Sequence, residues 1–170
     1  MDWRERIRNL WVDRMIWIRN YIVSMIFGLR ISSHVVMRTL RNGSDIARLF
    51  SHFYGLESAN KVEELLTQYI LILSEMATTL LTGGDIEPLK TRWSDNSNGL
   101  IEVLVSVNPY VNEAALREAV ELQFQLELDL VQHFVQGKYA EGVSSFDASH
   151  DNATRIANIL IDAIAAQFQI

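Results

Sequence analysis

A chain of 170 residues, 49% hydrophobic and 21% charged, can bury a core as one domain, and its composition excludes disorder. It contains no cysteine, which excludes disulfides, zinc–thiolate centres, iron–sulfur clusters and thiol nucleophiles. The net charge of −6, without a basic-aromatic cluster, argues against a nucleic-acid partner.

The charge is unevenly spread. Residues 1–52 carry nine basic and four acidic residues, a balance of +5, whereas residues 53–170 carry six and seventeen, a balance of −11. The halves can pair with each other, or the first can offer an electropositive face to an anionic ligand or partner.

Apolar residues recur at helical spacing from Trp3 to about Leu29, through Ile7, Leu10, Trp11, Ile18, Tyr21, Ile22 and Met25. The same stripe passes through Arg14, and a lone buried charge there would be costly. Arg19 and Asn20 interrupt the apolar run Met15 to Leu29, which is shorter than the ~20 residues of a membrane span. No small-residue cleavage site follows that run, and Asp2, Glu5 and Asp13 are wrong for a mitochondrial presequence. These features predict a cytoplasmic protein without a transmembrane segment.

A shorter helix then runs towards Phe53, capped by Ser32 or Ser33, with Val35, Val36, Leu40, Ile46 and Leu49 as core positions. Asn42–Gly43–Ser44 weakens its middle, where Asp45 could cap a restart, and Gly55 closes it. The next long helix covers about 58–82, with Val62, Leu65, Leu66, Tyr69, Leu73, Met76 and Leu80 inward. Gly83–Gly84 ends it, Asp85 can cap another short helix reaching Val107, and Ser94 to Gly99 reads as a polar interruption. Asn108–Pro109 is a turn and Asn112 caps a helix over 113–135, with Leu116, Ala119, Leu122, Leu126 and Leu130 along its apolar side. After Gly137 a last helix covers 138–168, its row Val143, Phe146, His150, Ala153, Ala157, Leu160, Ile164 and Phe168. No alternating strand pattern or internal repeat occurs. The reading is an all-α domain over 1–170, an antiparallel four-helix bundle with long helices at about 3–29, 58–82, 113–135 and 138–168 and two shorter connecting helices.

No glycine-rich phosphate loop, dinucleotide fingerprint or Gly-x-Ser-x-Gly elbow is present. A metal centre in a bundle calls for Glu-x-x-His pairs, yet Ile31 and Leu130 stand three residues before His34 and His133. The core rows instead share one polar position apiece: Arg14, Tyr69 and His150, with Gln125 at the flank of its row. A buried arginine requires carboxylate or anionic-ligand partners, and the acids near these positions in sequence are Asp13, Glu75, Asp129, Asp147 and Asp151. Such a cluster is either a structural network that sets helix register or a site for a small anionic ligand.

The segment Leu10-Trp11-Val12-Asp13-Arg14-Met15-Ile16-Trp17-Ile18-Arg19 resembles the opening motif, L-W-x-D-H-x-x-W-T-R, of a group of small bacterial helical-bundle proteins. The resemblance continues through Arg41-Asn42, Asp45-Ile46, Tyr54-Gly55, Leu65 to Leu71, Asn108-Pro109 and Phe146-Asp147-x-x-His150-Asp151. Those proteins are similar to hemerythrin-like and DinB-like bundles, so the resemblance implies inward histidines that hold a metal. Here those histidines align with Arg14, Tyr69 and Gln125, and the final H-D-H motif keeps His150 and Asp151 but has Asn152 in third place. One of five remains. The resemblance therefore implies a degenerate member with no metal or other cofactor.

The leading expectation is a non-enzymatic bundle whose interior polar cluster is structural or binds a small anion. An enzyme would need His150 with Asp147 or Asp151 as acid–base pair and Arg14 to stabilise substrate charge. A helix or lipid binder would need an exposed apolar strip on the first helix. Four tryptophans, Trp3, Trp11, Trp17 and Trp93, leave room for a homodimer that covers some of them.

Overall fold

A computed structural model describes residues 2–170. Five helices make up the described chain, with no strand among these residues: α1 (Trp3–Ile26), α2 (Ser32–Leu81), α3 (Glu87–Val107), α4 (Glu113–Val135) and α5 (Tyr139–Phe168). None is long and apolar enough to cross a membrane.

Helix α2 is not one rod. A straight helix would set Gly43 and Leu66 about 35 Å apart. Instead, a Cβ on Gly43 would lie 3.5 Å from the Leu66 Cβ, and the Ser44 hydroxyl donates to Glu63 at 2.5 Å. The reversal occurs at Gly55, where φ is 78° and ψ 172°, a conformation open almost only to glycine. Residues 32–54 and 56–81 thus form a helical hairpin, matching the terminator expected at Gly55 and the long helix expected after it.

Two predicted interruptions are absent because their polar residues find partners. Asn42 donates to the Leu10 carbonyl at 3.0 Å, so the first arm of α2 continues through Asn42–Gly43–Ser44. Asn96 donates to the Leu65 carbonyl at 3.1 Å, and a Cβ on Gly99 would meet Leu65 at 3.3 Å. The polar stretch of α3 therefore faces α2, and α3 is continuous from Glu87 to Val107. Helix α1 ends at Ile26, short of Leu29. Helix α4 has its predicted bounds, and the Asn112 side chain accepts from the Ala115 amide at 3.1 Å.

Successive rods alternate in direction. Of the four rods expected to form an antiparallel bundle, 3–26, 56–81 and 113–135 therefore run the same way and 139–168 alone opposes them. The contacts Tyr21–Ser74 and Arg14–Leu66 show α1 and the second arm of α2 running the same way. Gln123–Ser149 and Asn152–Ala119 show α4 and α5 opposed, as do Ser149–Met15 and Arg8–Asn158 for α1 and α5.

The interior divides into two apolar clusters. One gathers Ile7, Trp11, Leu100 and Leu160, and the other Ile18, Ile22, Leu73 and Val131. Tyr69 packs against both. Of the four tryptophans, Trp11 and Trp93 are buried, with Trp93 stacked on Phe124 at 3.8 Å, while Trp3, edge-on to Phe53, and Trp17, under the Arg38 guanidinium, are half-buried.

Candidate functional site

The two clusters meet at a polar layer centred on Arg14. Its helix places Trp11, Met15 and Ile18 inward on the same stripe, so the guanidinium enters the interior, and the residue is 3% exposed. Nη2 donates to the Leu66 carbonyl at 3.0 Å, and the guanidinium carbon lies 5.4 Å from the Tyr69 ring centroid, a cation–π contact away from water. Nη1 has no hydrogen-bond partner.

Glu127 of α4 lies across from it, 2% exposed. The Tyr69 hydroxyl donates to Glu127 Oε2 at 2.5 Å, and Gln123 Nε2 donates to Oε1 at 3.1 Å. Gln123 also reaches Ser149 Oγ at 2.5 Å and accepts from Asn152 at 2.9 Å. Asn152 donates in addition to the Ala119 carbonyl at 2.8 Å. Arg14 and Glu127 communicate through Tyr69 and the intervening space, not through a direct ion pair. That space is a cavity of about 40 Å³, bordered also by Asn96 and Ser97, with room for a few waters.

Burial governs the protonation of all three central groups. Desolvation lowers the Arg14 pKa, opposed chiefly by the charge of Glu127. It raises Tyr69 well above the usual phenol value, helped by the adjacent carboxylate. Desolvation also raises Glu127 from its ordinary 4.5 to about 6, against the hydrogen bonds from Tyr69 and Gln123 and the charge of Arg14. At neutral pH the layer thus holds one positive and one negative group, joined by a protonated phenol.

Of the residues singled out from sequence, Arg14 and Tyr69 converge and the others do not. Gln125 is exposed on the outer face of α4, donating to Asp129 at 2.8 Å. His150 is not a core residue: its side chain is 41% exposed and lies 3.6 Å from Asp151 Oδ1. Asp147 and Asp151 are exposed with it on the outer side of α5, and Glu75 binds Arg92 at the surface at 2.5 Å. Asp13 is half-buried on the flank of α1 beside Arg14.

The positions that do complete the layer are Gln123, Glu127, Ser149 and Asn152. The apolar row on α4 is Leu116, Ala119, Val120, Phe124 and Leu128, not the neighbouring Leu122 and Leu126. The inward row at the start of α5 is Gly142, Ser145, Ser149 and Asn152, not Val143 and His150. A pair Gln123–Glu127 at i, i+4, flanked on both sides by large apolar residues, was the available signal.

The donor set does not suit the divalent metal implied by the resemblance. The two family positions that converge carry a guanidinium and a protonated phenol, and a fixed cation repels a metal ion. Among the described residues, no three His, Asp or Glu side chains come together.

No protein-family model matches the chain, and no curated protein or solved structure is similar enough to match it.

Proposed function

We propose that the chain is a non-enzymatic helical-bundle protein, a degenerate counterpart of metal-holding bundles, in which the Arg14–Tyr69–Glu127 layer is structural. Its frame is six rods of similar length; 3–26, 56–81, 113–135 and 139–168 send side chains into the layer, with Asn96 and Ser97 of α3 at the edge of the cavity and Gly43 of the first α2 arm beside Arg14. A hydrogen-bonded layer between two apolar clusters penalises any slip of one rod past another, because a slip would strand a buried charge. The observation that carries this reading is Glu127. A buried carboxylate opposite Arg14, across a space of about 40 Å³, already balances the charge that an anionic ligand would have to satisfy. The separation of His150, Asp147 and Asp151 from Arg14 leaves an acid–base enzyme without a shared pocket.

The test is a double-mutant cycle with a ligand screen. Arg14→Met alone should cost about 3–5 kcal/mol by leaving Glu127 uncompensated. Arg14→Met with Glu127→Gln should recover much of that loss, and formate, acetate and phosphate should leave the wild-type Tm unmoved. A Tm rise with formate that disappears in Arg14→Met would replace the structural reading with a small-anion site, using the unpaired Arg14 Nη1.

A further inference from the structure

Two of the residues that line the 40 Å³ cavity of the central layer keep a polar atom without a partner. One is Arg14 Nη1, and the other is Ser97 Oγ, on a residue 4% exposed. The Arg14 guanidinium makes a single hydrogen bond, to the neutral Leu66 carbonyl. The remaining polar groups of the cavity are occupied. Asn96 donates to the Leu65 carbonyl and to Gln68, and the two oxygens of Glu127 accept from Tyr69 and Gln123. What is left over is donor capacity on a buried cation and a hydroxyl near it, and that combination selects an anion.

Charge limits what can enter. Arg14 and Glu127 cancel at neutral pH, so an anion arriving alone would leave a buried net negative charge. Helix α1 faces Glu127 with two cations, Arg14 across the cavity and the half-buried Arg19 across a narrower gap bordered by Phe146 and Ser149. The second arm of α2 contributes Tyr69, whose phenol keeps its proton. Helix α3 contributes Asn96 and Ser97, and α5 contributes Ser149, none of which titrates. Glu127 is the one acid among the described residues that line either space, and it alone can take a proton there and release Arg14.

We infer that this cavity takes up a small monovalent anion, such as chloride, together with a proton on Glu127. The anion supplies the acceptor that Arg14 and Ser97 lack, and the proton keeps the layer neutral. This rests on the structural reading above, in which Glu127 balances Arg14 at neutral pH, and it adds the condition under which that balance gives way to a ligand. Burial has already raised the proton affinity of Glu127, to a pKa of about 6, so the exchange sets in below neutral pH. Volume supplies the selectivity. A space of about 40 Å³ admits a halide and excludes an organic acid as large as gluconate.

Thermal unfolding of the full chain in sodium chloride and in sodium gluconate of equal ionic strength tests this at pH 5 and pH 7.5. Chloride should raise Tm over gluconate at pH 5 and, as the structural reading requires, not at pH 7.5. Its apparent affinity should fall about tenfold per pH unit above the Glu127 pKa, because only the protonated fraction is competent. Glu127→Gln, which fixes a neutral side chain, should respond equally at both pH values, whereas Arg14→Met should respond at neither. Chloride added to weakly buffered wild type at pH 6 should also draw protons from solution, a readout that needs no variant. No chloride-specific shift at pH 5 in either wild type or Glu127→Gln would overturn the inference and leave the structural reading standing. An equal shift at both pH values in wild type would overturn the two together. A shift that survives in folded Arg14→Met would put the anion elsewhere and overturn the inference alone.

Discussion

Glu127 carries a consequence for pH. The folded chain holds its proton more tightly than the unfolded chain does, with a pKa of about 6 against an ordinary 4.5. Its contribution to stability is therefore full below about pH 4.5 and is lost as pH rises through 6, a difference of about 2 kcal/mol. Urea unfolding of wild type and Glu127→Gln at pH 4.5, 6 and 7 isolates this group from the others. The variant should gain on the wild type as pH rises, and parallel pH profiles would exclude Glu127 as the source. Arg14 and Tyr69 were readable in the sequence because Arg14 is the one charged member of the α1 stripe and Tyr69 the one phenol on its row of the second α2 arm. Glu127 was not, because α4 presents leucines on two adjacent stripes, and the wrong one, through Leu122 and Leu126, looked equally apolar. His150 misled for the opposite reason: Phe146 and Val143 suggested an inward row, although Ser145, Ser149 and Asn152 are the side chains small enough to let α5 approach α4.

The closeness of that approach can be measured at the level of the helix pair. Gly142 sits on the first turn of α5 directly beneath Phe134 of α4, and an added Cβ would fall 2.3 Å from the ring. Gly142→Ala, which would stabilise an isolated helix, should here force the ring or the seam to move. The expected cost is about 1–3 kcal/mol, seen as a lowered Tm in scanning calorimetry. An unchanged or raised Tm would mean that the ring turns aside freely. Helix existence and type were legible throughout from period and punctuation. The continuity of α3 and of the first α2 arm was not, because Asn42 and Asn96 donate to carbonyls of neighbouring helices, and such partners have no trace in local sequence.

For the molecule as a whole, the all-helical class followed from sparse proline and glycine and the long apolar periods. The arrangement of the rods depended on a single backbone reversal within α2. That reversal rests on a conformation which one residue type tolerates, while both flanking arms are uninterrupted helix. Replacing Gly55 with alanine would strain the hairpin by about 1–3 kcal/mol and would favour a straight helix by about 1 kcal/mol. A straightened α2 would extend about 75 Å, carrying residues 56–170 too far to pack against their own α1 and Arg14. The same contacts remain available in a second chain whose α2 has also opened. Gly55→Ala should therefore convert part of the protein into an exchanged dimer, resolved by size-exclusion chromatography with light scattering, in which Tyr69 and Glu127 of each chain complete the layer with Arg14 of the other.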